Sequence, residues 1–267
     1  MMKIGFIGLG NMGGSLARLV AQDERYRSEL LLANRSRDKA EKIAAELGGQ
    51  PVSNAEVFSE AEVIFLGIKP AQFADLLADY HEVLEERDSL ILVSMAAGLS
   101  LELLEKLTPS HHRWIRIMPN TPVAVGEGVI TYALSQQANQ VDEDLLRELL
   151  SSAGLLVKLE EKQLDAATAL AGCGPAFIYL FIEALADAGV RAGLSRDISL
   201  ELANQTLLGA AKLSQISGQH PAQLKDQVCS PAGSTIAGVA SLEENAFRGT
   251  VMAAVQAAYK RTQELGK

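Results

Sequence analysis

A glycine-rich hexapeptide near the amino terminus is the strongest chemical signal in the sequence. It reads Gly8-Leu9-Gly10-Asn11-Met12-Gly13 and lies between a strand-like segment, Lys3–Ile7, and a helix-like segment, Gly13–Gln22. In a GxGxxG loop the first glycine permits a tight turn, the second lets the backbone approach a pyrophosphate, and the third permits close helix–strand packing. The N–H groups of the following helix favour the phosphates. The loop therefore predicts a dinucleotide site; an empty glycine-rich turn is the alternative.

The residues after the second predicted strand indicate which dinucleotide binds. NAD-selective sites carry Asp or Glu at this point, but this sequence reads Asn34-Arg35-Ser36-Arg37. A carboxylate would repel a 2′-phosphate, whereas Arg35 and the Ser36 hydroxyl would bind it. We therefore predict NADPH as the cofactor, with NADH as the alternative. If no cofactor binds here, Arg35 and Arg37 are solvated side chains at a helix start.

Two further segments are expected to line the same site. The third predicted strand ends in Gly67-Ile68-Lys69-Pro70, and ligands of open α/β sheets bind at the carboxyl ends of strands. Pro70 biases Lys69 toward extended backbone, which could aim the lysine at the cleft; a solvated loop lysine is the alternative. Asn54 precedes a helical stretch, so it could contact the cofactor or cap the helix.

A second polar cluster, Val228–Ile236, lies in an otherwise helical region. Within it, Pro231 and Gly233 favour a sharp turn, and a short helix is expected to follow. The hydroxyls of residues 230, 234 and 235 and the free N–H groups of that helix would then converge on one spot. Such a spot suits a carboxylate. The alternative is a helix connector whose hydroxyls cap helix ends.

The elements that must position these groups divide the chain in two. Up to residue 160, short apolar strands alternate with amphipathic helices, which predicts βαβ units around a parallel, doubly wound Rossmann-like sheet. The predicted strands are Lys3–Ile7, Leu30–Ala33, Val63–Gly67, Leu90–Ser94, Trp114–Met118, Val129–Ala133 and Leu155–Leu159. The predicted helices between them are Gly13–Gln22, Lys39–Leu47, Ala71–Leu84, Leu101–Lys106 and Asp142–Ala153.

Residues 161–267 are predicted to form a separate all-α domain. Its predicted helices are Glu161–Ala171, Pro175–Ala192, Asp197–Ser217, Pro221–Val228 and Leu242–Leu265. Gly193 and Gly218 are expected to end helices, and Ser241 with Glu244 to form a capping box that opens the last one. The uncharged segment 166–182 approaches the length of a membrane span, but Gly172-Cys173-Gly174-Pro175 interrupts it, so we expect a buried helix-turn-helix.

Composition restricts the partners. The chain has 24 Lys and Arg against 33 Asp and Glu, a net charge of −9, which argues against nucleic acid or an anionic membrane. Two cysteines without ligand spacing predict neither a disulfide framework nor a metal site. The histidines have no metal or triad spacing, and His111-His112 is expected to be solvated. Since the first residues also lack the pattern of a signal peptide, we expect a cytoplasmic protein.

Taken together, the motifs resemble the pyrroline-5-carboxylate reductase family. The resemblance runs essentially end to end; its most specific part is the turn Ser230–Ile236, preceded by Gln219-His220-Pro221 and Leu224-Lys225-Asp226. It also includes Met118-Pro119-Asn120-Thr121-Pro122 and the Gly172–Pro175 tetrapeptide. The resemblance implies NAD(P)H-dependent reduction of the C=N bond of 1-pyrroline-5-carboxylate to L-proline, the last step of proline biosynthesis. It also implies a homodimer through the helical domain, with a ring of dimers as a larger assembly.

The resemblance assigns roles residue by residue. The implied cofactor residues are Gly8, Leu9, Gly10, Asn11, Met12, Gly13, Asn34, Arg35, Ser36, Asn54, Ile68, Lys69, Pro70, Ala71, Met95, Ala96 and Ala97. The implied or predicted substrate residues are Glu161, Ser230, Gly233, Ser234 and Thr235. Thr235 is also the candidate catalytic residue, as a hydrogen-bond donor to the ring nitrogen. The family turn can read Gly-Gly-Ala-Thr or Gly-Gly-Thr-Thr, so Ala232 and Ser234 depart from it.

Two other functions compete with this one. A β-hydroxyacid dehydrogenase would share the two-domain plan, but it needs a catalytic lysine on the first long helix of the second domain, and after Pro175 the next lysine is Lys212. A non-catalytic NADP-sensing regulator would bind NADPH without turnover. We also expect obligate dimers, because segments 166–182, 203–211 and 250–258 carry more apolar surface than a small helical domain can cover.

Overall fold

An eight-stranded sheet forms the first part of the computed structural model, which describes residues 2–265. Its strand order is β3-β2-β1-β4-β5-β6-β7-β8. The strands are β1 (Ile4–Ile7), β2 (Leu30–Ala33), β3 (Gln50–Pro51), β4 (Val63–Leu66), β5 (Ile91–Ser94), β6 (Arg113–Pro119), β7 (Gly128–Leu134) and β8 (Gly154–Lys158). Every predicted strand is present, and the two-residue strand β3 is an addition. Strand β3 was not predicted, because Gln50–Pro51 is too short to show the alternation of apolar and polar residues that indicates a strand.

The sheet is mixed rather than wholly parallel. Strands β1 to β6 run parallel, but β7 is antiparallel to β6, with Ile115 opposite Leu134 and Pro119 opposite Ile130. A 3₁₀ turn, Thr121–Val125, fills the link between them. A parallel crossover needs a dozen or more residues, and this link is shorter. The expectation of a parallel sheet was therefore wrong for its last two strands, while the Rossmann-like plan holds.

Eight short helices accompany the sheet. They are α1 (Asn11–Val20), α2 (Glu24–Arg27), α3 (Arg37–Leu47), α4 (Asn54–Glu60), α5 (Phe73–Asp79), α6 (His81–Glu86), α7 (Leu101–Lys106) and α8 (Gln140–Leu149). The helix predicted over 71–84 is thus broken at Tyr80, whose backbone leaves helical geometry. The helix α2 was not predicted, because four polar residues show no helical period.

Two apolar clusters lie on opposite faces of the sheet. One includes Phe6 and Phe65, whose rings stack with centroids 4.7 Å apart. The other includes Trp114 and Leu92. Every residue of β1, β2, β4 and β5 is buried, as expected for strands covered on both faces. The packing of apolar residues on both faces of the sheet holds the carboxyl ends of the strands in fixed positions.

One histidine of the sheet region is part of the core. His112 is 1% exposed; its Nδ1 accepts a hydrogen bond from the Leu90 N–H, and its Nε2 lies 3.0 Å from the Leu84 carbonyl oxygen. Burial is the main cause that lowers the pKa of His112 to about 4. The expectation of two solvated histidines was therefore wrong for His112, whereas His111 is exposed.

Three of the remaining helices have 18 or more residues. In chain order, the remaining helices are α9 (Leu164–Ala167), α10 (Gly174–Arg191), α11 (Arg196–Ser217), α12 (Pro221–Gln227), α13 (Ser234–Glu244) and α14 (Phe247–Leu265). No strand occurs after β8 in the described chain, as predicted. Gly193 and Gly218 have φ of 104° and 62° and follow helix ends, which confirms both as helix stops.

The predicted capping box was wrong. Ser241 lies inside α13, where its carbonyl oxygen accepts a hydrogen bond from the Asn245 N–H. The helical segment is interrupted instead at Ala246, which has φ of 55° and lies between α13 and α14. The Ser-x-x-Glu pattern fits a helix start, but a left-handed alanine five residues later is not readable from sequence.

The chain forms two compact bodies. The sheet body comprises residues 2–173 and 258–265, and the helical body comprises residues 174–257. The predicted domain boundary after residue 160 stays a prediction. In the helical body, α10 and α11 pack closely, and the ideal Cβ position at Gly189 lies 2.6 Å from the Ser199 hydroxyl.

The uncharged segment around 166–182 does not form a buried helix-turn-helix. A π-helical turn, Thr168–Gly172, joins α9 to α10, so that residues 161–191 are helical almost throughout. By length and composition this one stretch could cross a membrane, and only 11% of its most apolar window is buried. Pro175 is accommodated in the first turn of α10, directly after the π-helical turn, where the missing N–H of a proline is tolerated.

Candidate functional site

The glycine loop follows β1 at the carboxyl edge of the sheet. Gly8 has φ of 93°, and an ideal Cβ there would lie 2.5 Å from the Gly67 carbonyl oxygen. Its N–H donates to the Ala33 carbonyl, and the Gly67 N–H donates to the Ile7 carbonyl. The ends of β1, β2 and β4 are therefore joined at Gly8, where only glycine avoids both strain and collision.

The other two glycines of the loop have the predicted roles. An ideal Cβ on Gly13 would collide with the Gly8 carbonyl oxygen, so its absence lets α1 pack against the turn. Nothing lies within 4 Å of the corresponding position on Gly10. Gly10 also caps α1 without any side-chain hydrogen bond. No side chain therefore caps the first N–H groups of α1, which leaves them available to a phosphate.

Asn34 holds this loop in place. Its Oδ1 accepts a hydrogen bond from the Leu9 N–H at 3.0 Å, and its Nδ2 donates to the Ser36 carbonyl oxygen at 3.2 Å. One side chain therefore fixes both the glycine loop and the segment after β2. This second task was not readable from the sequence, because it depends on strands that lie 25 residues apart.

A cavity of about 690 Å³ opens beside the loop. The predicted cofactor residues that line it are Gly8, Gly10, Asn34, Arg35, Ser36, Asn54, Ile68 and Lys69. Sequence reasoning missed Ile7, the last residue of β1, and four others on one wall: Gln72, Asp75, Leu76 and Asp79. The spacing of these four, by three and four residues, is that of one helix face following Pro70, which is the signal that could have identified them.

The other predicted cofactor residues lie around this cavity without lining it. Leu9 and Asn11 border a neighbouring groove of about 470 Å³ that also has Lys39 and Lys42 on its wall. Met12 packs against the core, and the Met95 sulfur lies 3.4 Å from the ideal Cβ position of Gly67. The other predicted positions lie at helix starts or in the loops that follow strands. They are Gly13, Pro70, Ala71, Ala96 and Ala97.

Charge in the cavity favours an anion near Arg35. Arg35 and Lys69 line the wall and form no ion pair within residues 2–265, whereas Arg37 pairs with Glu41 at 3.0 Å. Lys69 has extended backbone, as its position before Pro70 predicts. Asp75 and Asp79 add negative charge on the α5 wall. The residues after β2 are therefore suited to the 2′-phosphate of NADP, which supports the prediction from Arg35 and Ser36.

Asn54 is free to face the cavity because its neighbour caps the helix. The Ser53 hydroxyl accepts a hydrogen bond from the Glu56 N–H, and the Glu56 carboxylate accepts one from the Ser53 N–H. This capping box makes Asn54 the first residue of α4 rather than its cap. Of the two roles open in the sequence, lining the cofactor cavity fits the structure.

Glu161, in a 3₁₀ turn after β8, lies in the sheet body. Its Oε1 accepts hydrogen bonds from the Leu101 N–H at 2.6 Å and from Arg116 at 3.2 Å. Leu101 begins α7, four residues beyond the 95–97 loop. The residue implied as a substrate contact is thus tied to the segment that follows an implied cofactor loop.

The second polar cluster forms a tight turn in the helical body. Ser230, Ser234 and Thr235 are exposed, and Gly233 caps the eleven-residue helix α13 without a side-chain hydrogen bond. The left-handed residue of the turn is Ala232, with φ of 56°. Gly233 has φ of −79°, and an ideal Cβ there would collide with the Ser230 hydroxyl. The bend was predicted, but the left-handed position was not.

No group of three or more His, Cys, Asp or Glu side chains that could hold a metal lies among the described residues.

Two family models match the chain. One, described as NADP oxidoreductase, coenzyme F420-dependent, matches residues 3–98, and the other, described as pyrroline-5-carboxylate reductase dimerisation, matches residues 161–265.

A pyrroline-5-carboxylate reductase from Pisum sativum is 45% identical, over 98% of this chain and 95% of its own length. The chain belongs to the pyrroline-5-carboxylate reductase family. Solved structures of the family agree. The Plasmodium falciparum enzyme with NADP bound is 36% identical, with a TM-score of 0.88, and covers 100% of this chain and 98% of its own.

The pyrroline-5-carboxylate reductase from Coxiella burnetii has a TM-score of 0.91 at 30% identity, over 100% of this chain and 99% of its own. Membership of the family confirms the resemblance that the motifs indicate, and it confirms a Rossmann-like domain followed by a helical dimerisation domain. It leaves the individual site residues as predictions.

Proposed function

We propose that this protein reduces the C=N bond of 1-pyrroline-5-carboxylate with NADPH and forms L-proline. One observation carries the proposal: the likeness to pyrroline-5-carboxylate reductases extends over nearly the whole chain. It therefore includes the hydroxyl-rich turn of the helical body as well as the glycine loop that many dehydrogenases share.

The sheet body supplies the features that a dinucleotide requires. The open position at Gly10 and the uncapped start of α1 suit a pyrophosphate, and Arg35 and Ser36 suit a 2′-phosphate. NADPH, when bound, supplies the hydride. Loops 67–71 and 95–97 lie at the ends of β4 and β5, where they would orient the nicotinamide.

The substrate needs little chemical activation. A protonated cyclic imine accepts hydride at its C=N carbon, and the electron pair of the C=N bond returns to nitrogen. The protein must hold the substrate carboxylate and orient the ring. In our proposal the turn Ser230–Thr235 binds the carboxylate, and the Thr235 hydroxyl donates a hydrogen bond to the electron pair that the ring nitrogen regains as hydride reaches the carbon.

The two competing functions have less support. The helix α10, the first long helix of the helical body, contains no lysine, which a β-hydroxyacid dehydrogenase would need there. A non-catalytic NADP-sensing regulator would leave the hydroxyls of Ser230, Ser234 and Thr235 without a task. Each alternative predicts different kinetics from the proposed reductase: a dehydrogenase would turn over a hydroxy acid, and a regulator would turn over nothing. One assay therefore separates all three functions.

We further propose that the working unit is a homodimer joined through the helical body, and that dimers assemble into a larger ring. The dimerisation family match over residues 161–265 supports the dimer. Exposed apolar residues along α10 and α11, including Ile178, Leu180, Leu202 and Leu208, supply a surface for it. We place the protein in the cytoplasm, away from nucleic acid and membranes, and the free thiols of Cys173 and Cys229 suit a reducing compartment.

The decisive experiment follows NADPH oxidation at 340 nm with 1-pyrroline-5-carboxylate. The same preparation is tested with NADP and a panel of small hydroxy acids. We expect turnover of the imine and none of the hydroxy acids. Turnover of a hydroxy acid alone would favour the dehydrogenase, and NADPH binding without any turnover would favour the regulator.

A further inference from the structure

Arg116 is a buried charge that the proposed function has not used. It lies within β6, its side chain is 5% exposed, and its strand neighbours are Ser94 and Ala133. Its Nη1 is 3.2 Å from Glu161 Oε1 and its Nη2 is 3.3 Å from Asp165 Oδ1. The buried Nε has no partner in the described part of the chain. Burying a guanidinium is costly, and such pairs are weak evidence for stability.

The carboxylate of Glu161 is held by one of its two oxygens. Oε1 accepts from Arg116 and from the Leu101 N–H, whereas Oε2 has no hydrogen bond within residues 2–265. The side chain is 31% exposed. Because the Leu101 N–H belongs to the first turn of α7, the helix dipole adds to the attraction. Glu161 is therefore fixed at one oxygen and accessible at the other.

Arg116 also borders the 95–97 loop. Ser94, its neighbour across the sheet, is the last residue of β5, and the Ser94 hydroxyl accepts a hydrogen bond from the Ala96 N–H at 3.3 Å. The loop then continues to Leu101, whose N–H returns to Glu161. One guanidinium thus connects the strand that carries an expected cofactor loop with an expected substrate residue.

A second anchor, directly after the end of β6, holds the far end of the segment that contains Glu161. Asn120, four residues after Arg116, donates from Nδ2 to the Ala171 carbonyl oxygen at 3.0 Å. Ala171 lies in the π-helical turn, and its carbonyl has no α-helical partner four residues later, because that residue is Pro175 and has no N–H. The segment from Glu161 to Ala171 is therefore fastened to β6 near both ends, which limits the positions that Glu161 can adopt.

We propose that Arg116 is a positioning residue for the reaction: it holds the Glu161 carboxylate beside the 95–97 loop, so that the free oxygen accepts a hydrogen bond from the substrate ring nitrogen. This inference rests on the proposed function. Arg116 itself touches neither substrate nor cofactor in this arrangement. The planar fork of arginine suits the task, because it binds two carboxylates in fixed directions, which a lysine cannot.

The test is a double-mutant cycle between Arg116→Met and Glu161→Gln, with Arg116→Lys as the conservative variant. Asp165→Asn is the matched control, since it removes the other carboxylate from the same guanidinium. For each protein we would measure kcat and KM for 1-pyrroline-5-carboxylate, the Kd for NADPH by fluorescence, and the melting temperature.

We expect Arg116→Met and Glu161→Gln each to lower kcat/KM at least tenfold, and the double variant to lose no more than the worse single one. Arg116→Lys should recover part of the activity, and Asp165→Asn should lose less than threefold. Losses that multiply, or a loss in Asp165→Asn equal to that in Glu161→Gln, would overturn the proposal. If Arg116→Met does not fold, the cycle with Arg116→Lys decides in the same way.

An inactive unmodified protein is a separate outcome. It would refute the proposed function, and with it any catalytic role for this pair. An active protein whose Arg116 variants lose thermal stability but keep kcat/KM would refute the positioning role alone.

Discussion

The sheet body and the helical body treat their apolar side chains in opposite ways. In the sheet body every residue of β1, β2, β4 and β5 is buried. Between residues 174 and 257, only Ala186, Ser199 and Ala203 are buried. The sheet body therefore has a hydrophobic core of its own. The helical body is also rich in apolar residues, but a single copy is too small to bury them.

The difference concerns stability and function together. Burial of apolar surface is worth roughly 25 cal/mol per Å², so the helical body gains little from a single copy. Its exposed leucines must be covered by a second surface. The sheet body instead leaves open a polar cavity at the strand ends, where a ligand rather than a protein fits.

The largest expected effect is on association. Leu180→Glu places a charge in the exposed apolar face of α10, where burial at an interface would cost several kcal/mol. We expect dimers to weaken at least 100-fold, as measured by sedimentation velocity. Val141→Glu, at an exposed position on α8 of the sheet body, is the control and should leave the dimer intact. A monodisperse, active, unmodified monomer at micromolar concentration would contradict the comparison itself.

The next effect concerns the cofactor cavity of the sheet body. Arg35→Asp removes a charge-assisted contact to the 2′-phosphate and adds repulsion, which we expect to cost about 2–4 kcal/mol in NADPH binding. NADH should be little affected. Arg37→Asp is the control, because Arg37 pairs with Glu41 and does not line the cavity. An unchanged KM for NADPH in the Arg35 variant would make Arg35 a surface residue only.

A smaller effect is expected in the turn of the helical body. Thr235→Val keeps the shape of the side chain but removes its hydroxyl donor and leaves the hydrogen-bond partner unpaired. The fall in kcat/KM for the imine should correspond to a loss of roughly 1–3 kcal/mol in transition-state stabilisation. The Kd for NADPH should not change. Thr250→Val, on α14, provides a chemically matched control. Loss of NADPH binding with retained imine turnover at saturating cofactor would assign the turn to the cofactor site.

The smallest effect distinguishes the turn's backbone from its side chains. Ala232 has φ of 56°, a conformation that costs an alanine about 1–2 kcal/mol. Ala232→Gly removes this strain but frees the unfolded chain, and we expect a net stabilisation of roughly 0.5–1 kcal/mol in denaturant unfolding. Ala237→Gly, inside α13, should destabilise by roughly 1 kcal/mol. Equal signs for the two variants would contradict a strained turn.

Much of the sheet body could be predicted because its signals are local. Buried strands such as Leu30–Ala33 and the loop Gly8–Gly13 carry their structure in a few consecutive residues. The antiparallel β7 could be predicted only from the length of its link, and the break at Tyr80 had no sequence signal. The position of His112 in the core depends on packing against Leu84 and Leu90.

The candidate site divides in the same manner. The residues that line the cavity directly after a strand, such as Arg35 and Lys69, follow from strand ends. The link from Glu161 to Leu101 and Arg116 joins positions 60 and 45 residues apart, and no spacing rule reveals it. In the helical body, the exposed apolar faces were predicted as an interface, but the left-handed conformation of Ala232 was not, because alanine rarely adopts it.

The sheet body is also discontinuous, since residues 258–265 belong to it although the helical body intervenes. Thr262, near the end of α14, is buried. During translation the amino-terminal strands leave the ribosome first and can begin to pair, but residues 258–265 of the same body are synthesised only after the helical body. Completion of the sheet body therefore waits until the helical body has been synthesised, and a chain that stops within the helical body leaves both bodies incomplete.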